Sequence, residues 1–134
     1  MWGAEDLSAD IGATGDRVDG AWTPPFALAR SLCLLAAADA GVVAIDTVST
    51  EIANPAALHE ETRVARRDGF SAKAAIHPGQ VDIIHAALAP STVEQHWAAS
   101  VVAAFASGNG VATLDGRMLD RPHLRLAQRI LDRT

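Results

Sequence analysis

The sequence predicts an α/β fold built around parallel strands, and three observations carry that prediction. Short apolar runs without polar alternation take turns with helix-forming stretches. The unit recurs at a spacing of about 30 residues, which suits a βαβ crossover. Each run ends in a polar residue, as strands do where a parallel sheet opens onto its site. A chain of 134 residues with 49% hydrophobic and 20% charged side chains is long enough to bury about two-thirds of its unfolded surface.

Met1 to Asp6 reads as the tail of a strand, with Glu5-Asp6 standing where the C-terminal end of a strand belongs. Taken alone, the same acid pair reads as a helix start or a solvated loop. Gly12, Gly15 and Gly20 make a loop the better reading between Asp6 and Ala27. Ala27 to Ala40 is nearly all good helix formers, with Pro24-Pro25 before it and Gly41 after it, and reads as a buried helix. Val42 to Asp46 follows as a strand covered on both faces. Asn54 caps a helix with Pro55 at its first position, stopped at Asp68-Gly69. Lys73 to His77 is the next strand, and Pro78 opens a helix running through Gln80 to Leu88.

The second part of the chain reads differently. Ser91 with Glu94 forms a capping box for an amphipathic helix to Ser107, stopped by Gly108-Asn109-Gly110. Val111 to Leu119, containing Asp115-Gly116, reads as a hairpin, and Arg121 to Arg133 as a last helix. The expected division is therefore 1–90 for the βα units and 91–134 for a helical C-terminal extension.

Composition excludes several classes. A net charge of -5 argues against a general nucleic-acid binder. The single Cys33 can close no intramolecular disulfide, and no charged segment precedes an apolar stretch at Met1, so a cytoplasmic protein is expected. The longest apolar stretch, Leu32 to Ala38, is far short of the roughly 20 residues that a membrane span needs. Lys73 is the only lysine.

Three polar strand ends are on offer: Glu5-Asp6, Asp46-Thr47, and His77 with Gln80. A carboxylate-rich mouth suits Mg²⁺, which takes one or two protein carboxylates and leaves its other positions to water or substrate. Asp46 reads equally as an acceptor for loop amides, and His77 as a histidine ahead of a proline turn.

The order of these pieces carries more than any one of them. Gly3-Ala4-Glu5-Asp6-Leu7, then Ala44-Ile45-Asp46, then Ile76-His77-Pro78-Gly79-Gln80-Val81, then Asp115-Gly116-Arg117-Met118-Leu119-Asp120-Arg121-Pro122 closely resembles the citrate lyase β-subunit-like, or HpcH/HpaI aldolase, superfamily of CoA-ester lyases. The resemblance implies the C-terminal part of a (β/α)₈ barrel, about three βα units, followed by a helical lid. It implies that Asp6 is one of two carboxylates on Mg²⁺, the other being a glutamate on a preceding strand that has no counterpart here. Asp120 matches the lid acid that reaches into a neighbouring subunit's site as general acid or base, which implies a homo-oligomer; it also suits the N-cap of the last helix. Asp46, His77 and Gln80 would belong to the rim around the substrate or CoA. The implied reaction is Mg²⁺-dependent retro-Claisen cleavage of a citryl-, malyl- or citramalyl-CoA-like ester. The alternative is a truncated, non-catalytic or association-dependent unit of such a lyase, because the early strands and a substrate-clamping arginine have no match.

Overall fold

A computed structural model describes residues 1–106, 108 and 110–133. The chain divides into two compact units, Met1–Leu88 and Ala89–Thr134.

In the first unit, the chain opens with helix α1 (Ala4–Ile11) and not with the expected strand tail. Gly3 stands extended as its N-cap, and Glu5 and Asp6 lie in the first turn, where acids complement the positive end of the helix dipole. Ala4 N also donates to the Thr47 hydroxyl at 2.9 Å, which satisfies one of the free amides of that first turn. Gly12 closes the helix in the left-handed region.

The expected loop beyond it holds a small antiparallel hairpin, β1 (Arg17–Val18) and β2 (Ala21–Trp22), with Arg17 opposite Trp22. Its turn residues Asp19 (φ 50) and Gly20 (φ 80) both have positive φ, the conformation of a two-residue hairpin turn matched to strand twist. Helix α2 (Pro24–Asp39) starts earlier than the alanine run because both prolines fit the first turn, where no intrahelical N–H is needed.

Strand β3 (Ile45–Asp46) pairs in parallel with β4 (Ala72–Lys73), Ile45 opposite Ala72 and Asp46 opposite Lys73. β3 is shorter than the expected Val42–Asp46, and β4 starts one residue before the expected Lys73–His77 and ends at Lys73, so His77 caps the following 3-10 turn and does not end a strand. Ala44, Asp46 and Thr47 are buried, whereas Val42 and Val43 are exposed. The run is therefore covered only from Ala44 onward and not along its whole length, and among the described residues β4 is the one strand that pairs with β3. Between the two strands runs α3 (Pro55–Asp68), capped by Asn54 Oδ1 accepting from Ala57 N at 3.1 Å and ended by Gly69 at φ 115. A 3-10 turn, Pro78–Gln80, leads into α4 (Val81–Leu88). Trp2, Phe26, Ala65 and Phe70 centre the core. Trp22 contacts Trp2 edge-on at 5.0 Å and stacks on Phe26 at 6.3 Å.

The second unit consists of α5 (Thr92–Phe105), the antiparallel hairpin β5 (Ala112–Leu114) and β6 (Arg117–Leu119), and α6 (Arg121–Leu131). Ser91 and Glu94 close the expected capping box, Glu94 N donating to Ser91 Oγ at 3.2 Å and Ser91 N to Glu94 Oε2 at 2.8 Å. Asp115 (φ 49) and Gly116 (φ 75) make the hairpin turn. Ala98, Val101, Leu119 and Ala127 form a separate core. The expected helix end at Ser107 and the stop at Asn109 lie outside the described residues. Among the described residues no helix is long and apolar enough to cross a membrane. Among the described residues the architecture is mixed helix and strand with one parallel pair, in line with an α/β reading.

Candidate functional site

Because Asp46 and Lys73 are paired in the parallel register, their side chains leave the sheet on the same side. Asp46 Oδ1 accepts from Trp2 Nε1 at 2.7 Å and from Arg30 Nε at 3.2 Å, and Lys73 Nζ lies 3.6 Å from Oδ2. Lys73 Nζ donates to Thr47 O at 2.9 Å and lies 3.5 Å from Glu61 Oε2. The chain of charge continues outward. Arg30 Nη1 donates to Asp68 Oδ2 at 2.7 Å, and Arg17 pairs with Glu61 at 3.0 Å while lying 3.7 Å over the Trp22 ring. Partial burial pushes the Asp68 carboxyl up, but hydrogen bonds from Arg30 and Arg67 and their charge outweigh it and hold the group below the usual range. These groups wall a cavity of about 420 Å³ that includes Arg17, Trp22, Arg30, Asp46, Glu61 and Lys73.

Gln80 joins the two loops that follow the strands. Its Nε2 donates to Ser49 O at 2.9 Å, and its Oε1 accepts from Ile76 N at 2.9 Å and from His77 N at 3.3 Å. The side chain is buried, so it fastens the rim from within. His77 is exposed, and its Nδ1 accepts from Gly79 N at 3.0 Å, which leaves the ring proton on Nε2. A second cavity, about 330 Å³, lies against Glu5, Asp16, Arg17, Ser49 and Glu51.

Asp6 is exposed on the first turn of α1. A Cβ placed on Gly3 would stand 2.7 Å from Asp6 Oδ2, so the carboxylate lies against the bare Cα of that glycine. Among the described residues no group of three or more His, Cys, Asp or Glu side chains is arranged to hold a metal ion. Asp6 offers one exposed carboxylate, a donor type that Mg²⁺ accepts. The described residues do not form a complete cage.

Asp120 belongs to the second unit, where it is the N-cap of α6 and stands within 2.6 Å of His123 Nδ1. Of the residues singled out from sequence, Asp46 is enclosed in the ion-pair network, Gln80 is fastened to main-chain groups, and Asp6, His77 and Asp120 are open to solvent at least in part. The sequence reading missed Trp2, Arg30 and Glu61 as partners of Asp46 and Lys73. The one available signal was a lone lysine in a strand-forming run, a position where a cation needs a buried counter-charge.

Residues 26–134 match the model of a family described as a C-C bond lyase of the TIM-barrel fold. A citrate lyase subunit beta-like protein of Mycobacterium tuberculosis is 40% identical over 134 residues, covering 99% of this chain and 49% of the relative. The mitochondrial citramalyl-CoA lyase of Rattus norvegicus is 33% identical, covering 98% of this chain and 39% of the relative. The crystal structure of Mycobacterium tuberculosis CitE in complex with magnesium, acetoacetate and coenzyme A superposes with a TM-score of 0.88 at 40% identity, covering 99% of this chain and 50% of that one. The chain spans about half the length of its curated Mycobacterium relative.

Proposed function

Because the chain belongs to the C-C bond lyase family of the TIM-barrel fold, we propose that it serves the magnesium-dependent cleavage of a 3-hydroxyacyl-CoA ester of the citryl-, malyl- or citramalyl-CoA type. In the reaction the bond between the α and β carbons of the thioester breaks, the β-hydroxyl loses its proton, and the α carbon leaves as an enolate that takes up a proton. The products are an oxo acid and a shorter acyl-CoA. The observation that carries this reading is the fold match to a relative solved with magnesium, acetoacetate and coenzyme A.

On this reading the first unit supplies the later βα units of the barrel and the second supplies a helical lid. Magnesium, when bound, supplies Lewis-acid polarisation of the oxo and carboxylate oxygens. Asp6 would provide one of its carboxylates. Gln80 holds the loops after β3 and β4 together, which keeps the exposed His77 ring at the rim where the ester docks. Asp46 keeps the end of β3 in place through Trp2, Arg30 and Lys73. Asp120, carried on the lid, moves the proton of the reacting carbon or hydroxyl in the site of a neighbouring copy.

A second reading is favoured by the incomplete set of metal ligands among the described residues. It makes the chain an association-dependent unit with no turnover of its own. One assay separates the two. The purified chain is given Mg²⁺ and each CoA ester, and release of the oxo acid is followed. Magnesium-dependent release that is lost in Asp6→Ala supports the first reading. Binding of the ester without release supports the second, and neither binding nor release overturns both.

A further inference from the structure

We propose that His123 is the positioning residue for Asp120, its Nδ1–H holding Asp120 Oδ1 so that Oδ2 is the oxygen left to exchange a proton. The inference rests on the proposed role of Asp120 as the lid acid and deepens it.

The geometry begins with the helix start. Asp120 is the N-cap of α6, its carbonyl accepting from His123 N at 3.0 Å and from Leu124 N at 3.2 Å. Pro122 lies in that first turn and contributes no N–H. This fixes the backbone of residues 120–124 and brings the imidazole of His123 back over the N-cap, as a glutamate would come in a capping box. Nδ1 then lies 2.6 Å from Asp120 Oδ1 and 3.2 Å from Asp120 N.

Those two distances require opposite roles of one nitrogen. An unprotonated Nδ1 would accept from Asp120 N–H, but its lone pair would then face the lone pairs of a carboxylate oxygen at 2.6 Å. A protonated Nδ1 donates to Oδ1 along the shorter contact, a short charge-assisted bond. The shorter contact therefore decides, and the ring carries its proton on Nδ1. The carboxylate is tied through one oxygen to a group that is itself fastened to the helix start. An acid–base group held in one orientation by a neighbour is the arrangement that proton transfer needs. The neighbour is partly open to solvent, as is Asp120, with side-chain exposures of 44% and 49%. A substrate oxygen or carbon can therefore reach the pair.

The test uses the full chain. Long-range ¹H–¹⁵N spectra read which ring nitrogen of each neutral histidine bears the proton. The expected result is the Nδ1–H form for His123, turning to the Nε2–H form in Asp120→Ala, while His77 keeps its Nε2–H form in both proteins. An Nε2–H form of His123 in the unmodified chain, or an Nδ1–H form that survives Asp120→Ala, overturns the pair. This signature is read without substrate, so it decides the pair even if the chain has no turnover. Where turnover is measured, His123→Leu should lower kcat about 10-fold with little change in KM, as loss of an orienting neighbour does. His123→Asn, whose amide N–H takes the place of Nδ1–H, should recover most of it. A matched loss in His123→Leu and His123→Asn that follows only their melting temperatures would mean a structural cap and overturn the proposal. An intact signature with full turnover in Asp120→Asn would instead remove Asp120 from the chemistry, which is the failure of the reading beneath it.

Discussion

Trp2 and Asp46 are 44 residues apart in sequence, yet the indole Nε1 donates to Asp46 Oδ1 at 2.7 Å. The carboxylate at the end of β3 thus ties the first residues of the chain to the sheet, and Arg30 and Lys73 converge on the same group.

Replacing Asp46 should be among the most damaging changes to the first unit. In Asp46→Ala the buried Lys73 ammonium loses its counter-charge at β3 and Trp2 loses its acceptor. Breaking a buried pair from one side costs about 3–5 kcal/mol. Asp46→Asn keeps an acceptor for Trp2 and should cost less. Urea unfolding of the three proteins checks the order; equal midpoints for Asp46→Ala and the unmodified chain would contradict it.

Gln80→Ala should loosen the two loops it joins. The change strands Ser49 O, Ile76 N and His77 N together, and each buried group left unsatisfied costs about 1–3 kcal/mol unless water reaches it. Amide exchange should speed up at Ile76 and His77, with α3 unaffected. Unchanged protection at both amides would show that the side chain does not hold the rim.

Acid should weaken the first unit through Asp68. Its folded-state carboxyl is held below the usual range, by Arg30 and Arg67 against partial burial, so its contribution is fully present above the ordinary aspartate value of about 3.9. The contribution is lost as pH falls through the lower folded value. With Asp68 partly exposed, solvent screening limits the effect of Asp68→Asn to about 1 kcal/mol at neutral pH. The gap between variant and unmodified chain should start to narrow as pH falls below about 3.9 and close only below the lower folded value, where the carboxyl is neutral in the folded chain as well. A gap that stays constant from pH 7 to pH 2 would refute the assignment.

Helix α2 carries Leu28, Leu32 and Leu35, spaced to share one face, and all three are exposed. A helix apolar on its outer face as well as its inner one tends to find a covering surface. The purified chain should therefore self-associate, its sedimentation coefficient rising with concentration. A Leu32→Glu, Leu35→Glu double variant should reduce that rise. A concentration-independent monomer in the unmodified chain would rule the association out.

What the sequence determined by itself is what neighbouring residues can decide. Asn54-Pro55 starts α3, Ser91 with Glu94 starts α5, and Asp115-Gly116 turns the second hairpin, each through groups within one turn of chain. Asp19-Gly20 carries the same turn signal inside a stretch whose glycines read as a loop, and both residues adopt the positive φ that such a turn needs. The tertiary structure decided the rest. Glu5-Asp6 begins a helix in a fold where the Thr47 hydroxyl accepts from Ala4 N, a contact that no local pattern announces. The Val42–Asp46 run is buried only where β4 and the residues packed on Asp46 cover it. Lys73 reads from sequence as the first residue of a strand, and in the fold it is a buried cation with Thr47, Asp46 and Glu61 around it. A charge survives burial only when distant segments bring it partners, and those partners are fixed by packing, not by spacing along the chain.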